Sequence, residues 1–193
     1  VLFTAMFSGM SIVWDRRFGF LNKVLVAPIR RASYILAKVF SSVLRALFQS
    51  LLIFSIAFAF GLKPGDAFGP LDMLGAFSAL FLLSLGLSSL FVALTVRIKS
   101  HEAVMAVANL LNLPLMFTSS AIFPIRQMPD WLQAIAHWNP ISYSSDAVRK
   151  FILHSQAGLD TAQLLVDFQF LIAFAAVFTV IGMVLANKGL RKG

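Results

Sequence analysis

The chain contains no cysteine and few charged residues. Charged side chains make up 12% of its 193 residues, whereas hydrophobic side chains make up 59%. A soluble domain carries about 25% charged and roughly 45–50% apolar residues. The lack of cysteine excludes a disulfide framework and a cysteine-ligated metal site. The low share of charged residues argues against a water-soluble domain, and we therefore predict that the apolar surface lies in a lipid bilayer.

Motifs that hold ATP phosphates or a catalytic metal are also missing. The sequence contains neither GxxxxGK[ST] nor HExxH, so we expect this chain to bind no ATP and no metal. The three histidines, His101, His137 and His154, lie far apart in the sequence and do not share a side of the topology predicted below. Ser119 and Ser144 lack the GxSxG context of a nucleophile elbow. No catalytic residues are predicted.

The sequence does contain apolar runs long enough to cross a bilayer, which takes about 20 residues. Residues 1–13 are apolar but too short, as expected for the end of a span whose beginning is missing. Pro114 is expected to kink one of the later spans. Four whole spans are predicted, at residues 34–62, 71–96, 103–123 and 164–186. We therefore predict a polytopic, all-α integral membrane protein with one transmembrane domain over residues 1–193.

Basic residues are concentrated on one side of these spans. If the spans alternate in direction, residues 15–31, 97–102 and 187–193 share a side and hold ten lysines and arginines, against four on the opposite side. Such an excess marks the cytoplasmic side. We predict a multi-pass protein of the plasma (inner) membrane whose first loop and C-terminus are cytoplasmic. The net charge of +8 then reflects topology, and nucleic-acid binding is not expected.

Residues 15–31, DRRFGFLNKVLVAPIRR, have the pattern of a short amphipathic helix. Polar residues occupy the positions between the apolar ones, and Pro28 is expected to end the helix. Physical reasoning leaves two interpretations equally open. The helix either lies passively on anionic headgroups or docks a cytoplasmic partner. Its apolar positions include Phe20, Leu21, Val24 and Leu25.

Residues 124–153 predict two short helices separated by Asn139–Pro140. Trp131 and Trp138 share one face of the first helix. Neither helix is long enough to span a bilayer, and paired tryptophans are typical of an interfacial or re-entrant hairpin whose indoles lie at headgroup depth. Arg149 would keep the second helix out of the hydrocarbon centre.

Arg45 lies about two helical turns inside the apolar run 34–62, beyond Lys38. A charge at that depth is costly unless it faces protein, water or a headgroup. Arg45 either lines a substrate path or belongs to a part of the helix that lies in the cytoplasm before the bilayer begins. The second interpretation is the simpler one.

The two short amphipathic segments together resemble the permease subunits of type-2 ABC exporters, which include daunorubicin-resistance-type drug permeases and polysaccharide or lipid exporters. The resemblance covers nearly the whole chain in order and spacing, although Ala37 and Ser120 stand where the family pattern has glycine. In the first segment it rests on residues 15–21, 25–28 and 31. In the second it rests on Phe123, Pro124, Met128, Pro129, Asp130, Trp131, Leu132, Asn139, Pro140, Ile141, Ser142, Tyr143, Asp146, Ala147, Val148 and Arg149.

The resemblance implies a helical bundle with a cytoplasmic coupling helix around Phe20–Leu25 and an extracytoplasmic re-entrant hairpin that includes Trp138. The coupling helix would dock on a separate ATP-binding subunit that carries ATP and Mg²⁺, so this chain would itself hold no cofactor and would not be an enzyme. A second permease subunit would complete a homodimer. The path would carry a drug, lipid or glycan-like substrate. Because the family has six spans, the chain would be an N-terminally truncated permease.

The main alternative is a stand-alone secondary transporter or channel. Such proteins have ionisable residues deep within their spans and repeated halves with broken helices. The sequence shows no internal repeat. Its apolar cores, at residues 46–62, 73–96, 103–123 and 168–186, contain no Asp, Glu, Lys, Arg or His. A purely structural membrane subunit also stays open.

Overall fold

The computed structural model describes residues 1–20, 31–66, 68–96, 98, 100–123, 125–153 and 160–189. These residues form α-helices and one short 3-10 helix, Ile125–Gln127, and contain no β-strand. The predicted all-helical fold class is confirmed. The helices are α1 (Leu2–Arg17), α2 (Arg31–Ala59), α3 (Pro70–Thr95), α4 (His101–Phe117), α5 (Asp130–Ala136), α6 (Pro140–Leu153) and α7 (Thr161–Gly189).

Three helices are long and apolar enough to cross a membrane by length and composition. They cover Ala32–Ala59, Pro70–Thr95 and Thr161–Leu185, which correspond to three of the four predicted whole spans. Only 22% and 17% of the most apolar windows of α2 and α7 are buried, against 56% of that of α3. The exposed apolar surfaces of α2 and α7 therefore require a nonaqueous environment.

The predicted span 103–123 differs from the helix in the structure. Helix α4 ends at Phe117, and the next residues form turns. The Thr118 hydroxyl donates to the Pro114 carbonyl at 2.8 Å, and the Ser119 hydroxyl donates to the Met116 carbonyl at 2.8 Å. Hydroxyl groups that bond nearby carbonyls in this way offer the backbone an alternative to continued helix. An apolar pattern alone does not reveal such an end.

The chain divides into two compact units, which are described separately. The first contains α1, the start of α2 through Ala46, residues Ser84–Asn112, and α7 from Ala175 onward. Its helices approach closely at small residues: a Cβ on Gly9 would lie 2.9 Å from the Phe91 carbonyl oxygen. Such contacts matter because the hydrophobic effect contributes little to the association of helices in lipid. Close packing and side-chain hydrogen bonds stabilise the association instead.

The second unit contains Leu47–Leu83 and Leu113–Phe174. Helix α6 packs closely on α3 here. The ring of Phe151 lies so near Gly75 that a Cβ on Gly75 would overlap it. The same ring meets Phe168 of α7 edge to face, with centroids 6.2 Å apart. The main-chain N–H of Gly65 also donates to the Ile152 carbonyl at 2.8 Å. These contacts fix the C-terminal half of α6 within the unit.

Candidate functional site

Asn139 connects the end of α4 to the start of α6 in the second unit. Its side-chain amide donates to the Leu115 carbonyl at 2.6 Å and to the Thr118 hydroxyl at 2.9 Å, and its side-chain oxygen accepts from the Ile141 N–H at 2.9 Å. The last carbonyls of a helix and the first N–H groups of the next lack helical partners. Asn139 therefore caps both ends at once, and Pro140 suits the first helical position because it has no N–H to satisfy.

Ser120 ties the turn after α4 to the middle of α6. Its main-chain N–H donates to the Ser142 hydroxyl at 3.1 Å, and its hydroxyl donates to an Asp146 carboxylate oxygen at 2.8 Å. The Arg149 guanidinium reaches the Ser120 carbonyl at 3.5 Å. Ser120 is 5% exposed. This buried serine thus orients an acidic and a basic side chain of α6 together.

Helix α6 also binds α7 through a ring stack and an ion pair. Tyr143 stacks on Phe170 with centroids 4.1 Å apart, and Lys150 Nζ lies 2.7 Å from Asp167 Oδ2. The Tyr143 hydroxyl donates to the His137 carbonyl at 2.8 Å. Burial, followed by the charges of Asp167 and Asp146, raises the pKa of Tyr143 above its ordinary value. The shift favours the protonated hydroxyl, which is the form that donates this bond.

The two tryptophans that the sequence placed on one face are both exposed. Trp131 is 66% and Trp138 is 79% exposed, and Phe123 is also exposed. Pro129 immediately precedes α5, whereas Pro124 lies outside the described residues. Exposed indoles are typical of groups that lie at a membrane–water interface. The membrane position of this helix pair stays a prediction.

The first predicted segment begins at a polar cluster at the end of α1. The Asp15 carboxylate lies 2.6 Å from Lys38 Nζ and accepts a hydrogen bond from the Tyr34 hydroxyl at 2.5 Å. Arg16 donates to the Val96 carbonyl at 2.8 Å, just beyond α3. The chain that enters residues 21–30 is therefore anchored to α2 and to the connection after α3.

Only part of that segment can be compared with its prediction. Phe18 and Phe20 are both exposed, by 78% and 50%. The other residues assigned to the coupling helix, Leu21, Val24, Leu25 and Pro28, lie outside the described residues.

Residues 1–153 match the family described as ABC-2 type transporter. The chain belongs to the ABC-2 type transporter permease family. The resemblance stated from the sequence is thus confirmed, and both predicted segments lie within the matched region.

Relatives with descriptive names agree with this assignment. The chain is 38% identical over 152 residues to a Cyanophora paradoxa protein named as a transport permease, ycf38; this covers 77% of the chain and 50% of the relative. It is 25% identical over 153 residues to the doxorubicin resistance ABC transporter permease DrrC of Mycobacterium tuberculosis, covering 76% of the chain and 52% of the relative. Identity to the daunorubicin resistance permease DrrB1 of Streptomyces coeruleorubidus is 25% over 158 residues, or 82% and 55% of the two chains. The chain spans about half the length of these relatives.

Arg45 of this ABC-2 permease forms its side-chain hydrogen bonds within its own helix. Its side chain is exposed on α2, and its guanidinium donates to the Ser41 hydroxyl at 3.0 Å and to the Ser41 carbonyl at 3.3 Å. These bonds do not connect it to the other predicted site residues. Its assignment to a substrate path stays a prediction.

The sequence reasoning missed the partners that organise both regions of the permease. It does not connect Lys38 to Asp15, Ser120 to Asp146 or Lys150 to Asp167. One signal was available, because Asp15 and Asp167 are each the only acidic residue at the edge of an apolar run. A carboxylate in that position needs a cation or a hydrogen-bond donor nearby.

Proposed function

We propose that this chain forms part of the membrane path of an ATP-driven exporter whose ATP and Mg²⁺ are bound by a separate subunit. The observation that carries the proposal is the ABC-2 match, which extends over both amphipathic segments. The names of two relatives refer to resistance to doxorubicin and daunorubicin, which supports an amphipathic drug as the cargo. A lipid or glycan-like molecule is the wider substrate class. A second permease subunit, in a homodimer, would complete the path.

The region around Phe20–Leu25 would dock on the ATP-binding subunit. The exposed rings of Phe18 and Phe20 begin an apolar surface of the kind that a partner covers. Movement of this segment would reach α2 through the ion pair of Asp15 and Lys38. It would also reach the connection after α3 through Arg16. The anchored end of α1 makes the segment a suitable input point for work done by an ATPase.

Replacing Leu21 with aspartate should abolish co-purification of the ATP-binding subunit, because a carboxylate on the apolar docking surface cannot be desolvated without a large cost. The measurement is recovery of a P-loop ATPase, with its ATPase activity, on the full-length protein purified from mild detergent. Asn22→Asp is the matched control, since it places the same charge on the adjacent polar position and should leave recovery unchanged.

Both outcomes of that experiment are informative. Equal recovery with Leu21→Asp and Asn22→Asp would show that the apolar face is not the docking surface. A well-folded wild-type protein that brings down no ATPase would contradict the ATP-driven proposal itself and favour a stand-alone channel or secondary transporter.

The α5–α6 pair would cap the path on the side opposite the basic loops, in a plasma-membrane protein with cytoplasmic first loop and C-terminus. A cysteine at exposed His137 should react with a membrane-impermeant maleimide added outside intact cells, and one at exposed Ser100 should not. The chain has no native cysteine to interfere. In inverted vesicles the two labelling results should exchange. Labelling of His137→Cys only in inverted vesicles would show that the topology is reversed.

A further inference from the structure

A cavity of about 410 Å³, lined by charged, polar and apolar groups, lies in the second unit where α6 faces the first two turns of α7. Cavities of roughly 300–1,000 Å³ are large enough for small-molecule groups. Four charged side chains contribute to its wall together with uncharged polar groups. The lining residues are His137, Tyr143, Asp146, Arg149, Lys150, Gln163, Val166 and Asp167. Two charges of each sign therefore face one space.

Two of these four charges already neutralise each other, because Lys150 and Asp167 form an ion pair at 2.7 Å. The other two do not. Asp146 and Arg149 are three residues apart on one helix, a spacing at which opposite charges are near enough to pair. Within the described residues, however, they form no ion pair with each other.

Ser120 accounts for this separation. Its hydroxyl holds Asp146 Oδ1 at 2.8 Å, while its carbonyl holds one guanidinium nitrogen of Arg149 at the longer distance of 3.5 Å. Each charged group retains further hydrogen-bonding capacity, since a carboxylate has a second oxygen and a guanidinium has five N–H donors. The cavity thus presents a carboxylate held by Ser120 and an exposed guanidinium that form no ion pair with each other.

We propose that this cavity binds the headgroup of a phospholipid that carries a primary ammonium, of the phosphatidylethanolamine class. The phosphate would accept charge-assisted hydrogen bonds from Arg149, whose planar fork suits phosphate oxygens. The ammonium would donate to Asp146. A ligand with both charges matches the wall of the cavity, whereas a purely anionic headgroup leaves the Asp146 carboxylate unpaired and repelled.

The surroundings favour a lipid over a free soluble zwitterion. Val166 lines the cavity and is 55% exposed, and the adjacent Leu165 is 63% exposed. Both belong to the start of a candidate membrane span that leaves most of its apolar surface uncovered. Acyl chains could therefore lie along α7 while the headgroup enters the cavity. The inference concerns a bound lipid and does not depend on the proposed ATP-driven transport.

The test uses the full-length protein, delipidated in detergent and titrated with phosphatidylethanolamine or phosphatidylglycerol of identical acyl chains. Retained lipid is counted by native mass spectrometry. The wild type should prefer phosphatidylethanolamine by about tenfold or more, as expected for one additional charge-assisted hydrogen bond. Asp146→Asn should lower phosphatidylethanolamine binding to the phosphatidylglycerol level, and Arg149→Gln should weaken binding of both lipids. Asparagine can still accept the Ser120 hydroxyl bond, so the fold should persist.

Matched controls are available at exposed positions of the same unit outside the cavity. Asp130→Asn and Lys63→Gln remove the same types of charge and should not change lipid selectivity. Equal binding of the two lipids by the wild type, or equal behaviour of Asp146→Asn and Asp130→Asn, would overturn the proposal. Soluble phosphoethanolamine should compete far more weakly than the lipid. Competition as strong as that of the lipid would show that the acyl chains contribute nothing and would overturn the lipid assignment.

Discussion

Replacing Asn139 with alanine should lower the melting temperature of the detergent-purified protein by roughly 4–24 °C. Asn139 is 3% exposed, and the substitution removes its bonds to Leu115, Thr118 and Ile141. The Leu115 carbonyl and the Ile141 N–H then lose their side-chain partner. Each unsatisfied buried group costs about 1–3 kcal/mol, and each kcal/mol corresponds to about 2–4 °C at this chain length.

Asn109→Ala is the matched control for that prediction, because Asn109 is exposed on the same helix α4. Loss of monodisperse protein on heating provides the measurement for both variants. The control should stay within a few degrees of the wild type. If the two variants have the same melting temperature, the double cap does not hold α4 and α6 in place. The α5–α6 pair must then be stabilised by its contacts with α3 and α7.

Introducing leucine at Gly9 should have an effect of similar or greater size in the first unit. Even the Cβ atom would lie 2.7 Å from the Thr95 hydroxyl oxygen and 2.9 Å from the Phe91 carbonyl oxygen. Alanine is the graded test, because it gains about 1 kcal/mol of helix propensity over glycine. Overpacking costs about 1–3 kcal/mol. The Phe91 oxygen belongs to the main chain and cannot rotate away. We therefore expect the cost of overpacking to exceed the gain in helix propensity, so that Gly9→Ala is destabilising.

A double-mutant cycle measures how much of the destabilisation comes from the contact with Thr95. Thr95→Ala removes the hydroxyl and methyl groups nearest to the new Cβ, so Gly9→Ala should cost less stability in that background than in the wild type. Gly69→Ala is the control, since its Cβ would meet only Asp72 Oδ2 at an ordinary 3.6 Å. An increase in melting temperature for Gly9→Ala, of the size that helix propensity predicts, would show that α1 and α3 are not in tight contact there.

The positions of the long helices could be read from hydropathy because a bilayer leaves the backbone few options. Polar main-chain groups in hydrocarbon must bond within their own segment, so a long apolar run becomes a helix. The predicted run 71–96 and helix α3 (Pro70–Thr95) differ by one residue at each end. The end of α4 did not follow from the same pattern. It depends on bonds from Thr118 and Ser119, and on Asn139, which lies more than twenty residues further along the chain.

The candidate site was predicted in outline and missed in detail. The break at Asn139–Pro140 could be found from proline chemistry. The prediction that Trp131 and Trp138 share one face of the first helix was wrong, because α5 ends at Ala136 and Trp138 lies in the turn that follows. The role of Ser120 could not be found from the sequence, because the residue was noticed only as a small replacement for glycine. Its hydroxyl orients Asp146 across a separation of 26 residues, and no local pattern encodes that distance.

The sequence by itself determined the membrane environment, the all-helical class and the permease family, because composition, apolar run length and ordered motifs are properties of the chain alone. Only the tertiary structure decided which charges neutralise each other. It pairs Asp15 with Lys38 and Lys150 with Asp167, whereas among the residues that the structure describes Asp146 and Arg149 form no ion pair with each other. Ion pairing depends on separations of a few ångströms, and those separations are set by how the helices pack rather than by their order in the chain.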